Sequence, residues 1–223
     1  MRRGMFIITV IFSIPMLVLL FSAVFAEDSY ANWTAAIGMI VILICPFLSW
    51  IGWVETPWPV VLAVDLSVFL HNLGLARFTL YYYETQWWDD LMHIMAAIIM
   101  ATLVVLGLMV IERYSKTIRV PRHWYLFFVF IMVMMVGVTW EVFEYAIDQT
   151  FATDMQHSLG DTLDDLVSDV AGGLIGGIGA AIYLRGRASE DIIDSLEFKD
   201  NAIKIERWFN KKAEMEEQRK ERV

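Results

Sequence analysis

WWDDLMHIMAAIIMATLVVLGLMVI (87–111) opens on two tryptophans and two aspartates, passes one histidine, and then runs on without a charge. A helix that crosses the hydrocarbon of a bilayer needs about 20 mostly apolar residues, and this run supplies them. Ionisable side chains at membrane depth are costly and therefore rare unless they are paired or functional, yet Asp89, Asp90 and His93 stand at its mouth. The arrangement returns twice. WEVFEYAID (140–148) closes another apolar run with Glu141, Glu144 and Asp148, and HSLGDTLDDLVSDVAGG (157–173) opens a third with His157, Asp161, Asp164, Asp165 and Asp169. One basic residue, Arg77, lies near any of these segments in sequence. So many carboxylates in a low-dielectric place predict a bound cation, bound protons, or both.

The remainder of the chain fits a membrane setting. Of its 223 residues 58% are hydrophobic, and the mean hydropathy is +0.55, too apolar for an ordinary soluble domain. Six runs are candidate spans, at roughly 5–26, 33–53, 58–80, 90–112, 123–147 and 162–184, which predicts an all-α polytopic helix bundle. The first run, with Arg2 and Arg3 before it and VFA before Glu27, also has the outline of a secretory signal. Its apolar stretch exceeds the usual signal core of about 7–15 residues, which favours a retained helix. The net charge of −9 comes largely from the acidic segments, and nothing suggests a nucleic-acid partner. Cys45 is the single cysteine and lies in an apolar run, which excludes a disulfide framework and a thiolate metal site.

Lysine and arginine collect in short cytoplasmic loops. Arg2 and Arg3 precede the first run, Arg113, Lys116, Arg119 and Arg122 occupy the connection 113–122, and Arg185 and Arg187 follow the last run. The alternate connections at 27–32 and 148–160 contain neither residue. Six spans with both termini cytoplasmic, in the inner or plasma membrane, satisfy this pattern. Residues 1–187 then form the transmembrane bundle and 188–223 a charged, amphipathic cytoplasmic tail. All three acidic segments fall at the outer ends of the fourth, fifth and sixth spans. At a rise of about 1.5 Å per residue, His93, Glu144 and Asp165 each lie about 6 Å inward of Asp89, Asp148 and Asp161, with Glu141 and Asp169 a turn deeper. Matching tiers point to one shared site near the outer leaflet.

Spacing sharpens the reading. Asp89 and His93 are four apart and share a helical face; Glu141 and Glu144 are three apart; Asp161, Asp165 and Asp169 recur every four residues. Helical bundles build metal sites from such Glu and His sets on facing helices. The oxygen-rich set, with few imidazoles, favours Mg²⁺, Mn²⁺, Ca²⁺ or iron, with Zn²⁺ also open. His93, Glu141, Glu144, Asp161, Asp165 and Asp169 are the candidate ligands, and Asp89 is the candidate catalytic residue, orienting His93 or accepting a proton. Asp90 and Asp164 stand off the stripes and read as water-facing. Asp148 and His157 read equally well as loop residues, and Asp169 as a protonated helix–helix contact.

In the third run Asp65 and His71, six apart, fall on different faces; helix–helix polar contacts are the default, with one of them reaching the cluster as the alternative. Asp161 and Thr162 are candidates to cap the sixth helix. AGGLIGGIGAA (171–181) permits close helix approach. Trp33, Trp87, Trp88 and Tyr81, Tyr82 and Tyr83 suit an outer aromatic belt, and Trp53 and Trp58 an inner one. In the tail, Ile192, Ile193 and Leu196, then Ile203, Ile205, Trp208 and Phe209, give interrupted amphipathic stretches suited to a membrane surface, a second copy or a membrane-complex partner.

Asp89 and His93, Glu141 and Glu144, and the set Asp161, Thr162, Asp165 and Gly172 resemble the pattern of the YjdF-type family of bacterial inner-membrane proteins. The resemblance covers roughly 85–180, and departs where His157 and Ser158 replace a further Gly-Asp pair of the family. It implies an inner-membrane protein in which the acidic set matters, and implies no particular reaction. The residues themselves favour a divalent-metal site serving an enzyme that acts on a lipid or other membrane-resident substrate. A proton- or cation-coupled transporter and a non-catalytic membrane subunit docking through its tail are the rival classes.

Overall fold

The computed structural model describes residues 2–27, 29–51, 56, 58–76, 85, 87–115, 117–151, 153 and 155–185. The tail 188–223, Arg77, Trp53 and Tyr81, Tyr82 and Tyr83 lie outside these. Every regular element among the described residues is helical: α1 (Arg2–Phe25), α2 (Ser29–Trp50), α3 (Trp58–Leu75), α4 (Trp87–Tyr114), α5 (Tyr125–Phe151), preceded by one 3₁₀ turn (Arg122–Trp124), and α6 (Leu159–Tyr183). All six α-helices are long and apolar enough to cross a membrane. Helices suit that solvent because each satisfies its backbone polar groups internally. The apolar side chains on their outer faces are correspondingly exposed, among them Ile14, Ile40, Phe127 and Val142.

The helices pack as two groups of three. Met16, Leu19, Ala35, Ile42 and Ala76 form the interior of α1–α3. Ala97, Ala101, Val105, Met109, Val129 and Val133 form that of α4–α6, closed by Tyr125 and Leu184. The groups meet where α3 lies along α4.

Small residues set how closely α6 approaches its neighbours. A Cβ on Gly172 would strike the Ile94 carbonyl oxygen, and one on Gly176 would lie 2.8 Å from Ala101 Cβ. Gly173 instead faces Val133, and Gly177 faces Leu126 and Val129. One pair of glycines thus fits the α4 backbone and the next pair fits α5, as expected where association in lipid rests on close packing.

At the end of this group remote from the acidic segments, Glu112 accepts hydrogen bonds from the Val120 amide and the Tyr125 hydroxyl. Arg122 donates to the Leu184 carbonyl at 2.7 Å, fastening the start of α5 to the end of α6. At the other end, Ser158 caps α6 by accepting from the Asp161 amide, so α6 begins ahead of Asp161 and Thr162. Trp33 and Trp87 are exposed as a belt requires, whereas Trp88 is buried against the bundle.

Candidate metal centre

The start of α4, the end of α5 and the start of α6 lie together, so three segments remote in sequence bring their acids to one place. Asp89, His93 and Asp165 each offer a donor atom, and the three atoms lie within 4.8 Å of one another. The donor spacing follows from the helices: Asp89 stands one turn before His93 on α4, and Asp165 projects from the α6 face that the glycines hold against α4.

The imidazole is gripped on one side and open on the other. Its Nδ1 lies 3.3 Å from Asp169 Oδ1, in hydrogen-bond contact. Its Nε2 faces Asp165 Oδ1 at 3.7 Å and Asp89 Oδ1 at 3.9 Å. Those two separations are too long for hydrogen bonds, and are within ion-pair reach when the ring is protonated. They match the span between neighbouring ligands of one cation, since two bonds of about 2.1 Å meeting at about 110–135° put their donors about 3.4–3.9 Å apart. A histidine that ligates a metal through one nitrogen is generally held by a carboxylate or carbonyl on the other, and Asp169 stands at that second position. Asp169 itself fits because α5 carries Gly137 opposite it; a Cβ there would collide with the Asp169 carboxylate.

Around this triad, Glu141 is buried, with 5% of its surface exposed. Both of its carboxylate oxygens lack a hydrogen-bond partner. It faces Thr162 and lies near enough to His93, Asp161 and Asp169 for their charges to interact. Glu144 is half-buried and stands in the same relation to Asp89, His93, Asp165 and Glu141. Asp161 pairs with His157 at 3.3 Å, on the rim. The buried, unpartnered Glu141 carboxylate and the open Nε2 face are what a cation would satisfy; Asp89, His93 and Asp165 could hold one.

The remaining acids are differently employed. Asp90 accepts the Ser168 hydroxyl at 3.0 Å, a contact between α4 and α6. Asp148 accepts from the Thr153 hydroxyl and from the Met155 and Gln156 amides, folding the connection from α5 to α6 back on itself. Asp164 is exposed. His71, on α3, lies near enough to His93 for their charges to interact. Spacing could not show this, because it depends on how the two groups of helices meet.

Residues 7–186 match the family described as predicted membrane protein (DUF2238), and the chain belongs to that family. The YjdF-type resemblance is compatible with this membership. A comparison with curated proteins finds no match, and neither does a comparison with solved structures.

Proposed function

We propose that this member of a family of predicted membrane proteins is a metalloprotein of the cell (inner or plasma) membrane, its centre near the outer leaflet, and that it acts as a metal-dependent enzyme on a lipid or other membrane-resident substrate. Asp89, His93 and Asp165 are the ligands; Asp169 orients the imidazole. Glu141 completes the coordination or neutralises the ion, and Asp161 lies at the rim. The observation that supports this most is the open His93 Nε2, facing two carboxylates at ligand-to-ligand distance while its Nδ1 is held by a third. The mixed oxygen and imidazole donors suit Mn²⁺, Fe²⁺, Mg²⁺ or Zn²⁺. A bound divalent ion supplies a Lewis acid and an activated water. Glu144, half-buried and close enough to Asp89, His93, Asp165 and Glu141 for their charges to interact, exchanges a proton with the substrate in this reading.

Elemental analysis of protein purified in mild detergent without chelator tests the reading. Wild type should hold stoichiometric divalent metal, and His93→Ala should lose it. Absence of metal in wild type after Mn²⁺, Fe²⁺ and Zn²⁺ are added back would overturn it. Coupled proton or cation transport is a second reading, favoured by the α3 side chains His71, Asn72 and Asp65, which carry polar groups from His93 into the α1–α3 group. Flux into liposomes that disappears in Asp65→Asn would establish it.

A further inference from the structure

Nothing yet fixes the direction of the Glu141 carboxylate, which is buried with neither oxygen bonded. The hydroxyl facing it is that of Thr162, in the first turn of α6. A threonine hydroxyl has one hydrogen to give and can accept as well. Thr162 Oγ1 accepts from Gln156 Nε2 at 2.9 Å. A side-chain amide N–H can only give, so this bond leaves the hydrogen of Thr162 to point elsewhere.

A threonine in a helix commonly gives that hydrogen to the carbonyl one turn back, and Thr34, Thr102, Thr139 and Thr150 do so at 3.2, 2.9, 2.6 and 2.7 Å. For Thr162 the corresponding carbonyl is that of Ser158, which takes the Thr162 amide at 3.1 Å instead. The side of the hydroxyl is set by Gln156, and Gln156 is itself pinned. Its amide and that of Met155 donate to Asp148, and the Thr153 hydroxyl donates to the same carboxylate. Ser158 caps α6 through the Asp161 amide, which fixes the turn that carries Thr162. A chain of contacts therefore runs from Asp148 through Gln156 and Thr162 to Glu141.

Glu141 lies near enough to His93, Asp165 and Asp169 for their charges to interact. A carboxylate that binds a metal is in turn held by outer hydrogen bonds, and such contacts are often long until the ligand is bound. We propose, on the reading that the centre holds a metal, that Thr162, oriented by Gln156, is the positioning residue for Glu141: its hydroxyl holds one carboxylate oxygen and turns the other toward the ion at Asp89, His93 and Asp165. Glu141 is then a fourth ligand rather than a distant counter-charge.

Competition of the full chain in detergent against a fluorescent chelator, with Mn²⁺, Fe²⁺ and Zn²⁺ in turn as the probe, tests this. Thr162→Val keeps the shape of the side chain and removes the hydroxyl; it should weaken binding by about 10–100-fold. Thr162→Ser should recover most of that loss, and Gln156→Ala should weaken binding in the same direction by less. In Glu141→Gln, which itself binds more weakly, adding Thr162→Val should cost nothing further, because the two act as one unit. A merely structural Thr162 would give losses that add. Added losses, or a Thr162→Val affinity equal to that of wild type, overturn the proposal while leaving the metal reading intact. Should Thr162→Val fail to fold, Gln156→Ala, alone and combined with Glu141→Gln, decides in the same way. A wild type that binds none of the three ions overturns the metal reading and this assignment together.

Discussion

His93 is fixed by what it touches on one edge and available on the other. Asp169→Asn keeps a hydrogen-bonding partner for Nδ1 but removes its charge. Metal should still bind, with affinity lowered by about 10–100-fold, whereas His93→Ala should abolish binding; competition against a fluorescent chelator reads both. An equal loss in the two variants would place Asp169 among the ligands. The four-residue spacing of Asp89 and His93, and of Asp165 and Asp169, was legible because helical period alone puts such residues on one face. Which carboxylate would take which imidazole nitrogen was not. From sequence Asp89 reads as orienting His93 or accepting a proton; the carboxylate in hydrogen-bond contact with Nδ1 is that of Asp169, which has room opposite Gly137 on α5. Asp90 reads as water-facing, and its bond to Ser168 depends on how α6 meets α4.

Among the elements, α6 is the one whose fit is least forgiving. Gly172→Ala would set a methyl group against the Ile94 backbone, which cannot move aside as a side chain can. Overpacking of this kind costs about 1–3 kcal/mol, and by parting α6 from α4 it should also weaken metal binding. Gly107→Ala is the control, since nothing lies within 4 Å of the added carbon. Unfolding in denaturant compares the two; equal stability would mean that the α4–α6 contact is looser than described. The glycine-rich stretch announces close approach, but not that alternate pairs serve different partners. Helix ends were the least legible feature. Helices α4 and α6 start at Trp87 and Leu159, a few residues before the apolar runs suggest, because caps and backbone bonding, rather than hydrophobicity, set where a helix begins.

For the molecule as a whole, hydrophobic run length was enough to foresee six spanning helices. The division into two groups of three was not foreseeable, since apolar stripes facing lipid and facing neighbours have the same composition. The distribution of lysine and arginine predicts one orientation, with His157 outside and Arg119 inside. In a Cys45→Ala background, a cysteine at 157 should react with a membrane-impermeant thiol reagent in intact cells, and one at 119 only after permeabilisation. The reverse pattern would move the candidate metal centre to the inner leaflet. One feature of α6 bears on how this assembly keeps its alignment. Its acids at 161, 165 and 169 and its glycines at 172 and 176, and at 173 and 177, all repeat every four residues. Slid along by one repeat, the helix would bring Ala180 to the place of Gly176 or, in the other direction, Ser168 to the place of Gly172, and either would press a Cβ on α4. The run of four glycines is therefore a pawl as well as a rack: its length, not its period, picks the tooth. The two ends add to the choice, where Arg122 holds the Leu184 carbonyl and Gln156 reaches back to the Thr162 hydroxyl.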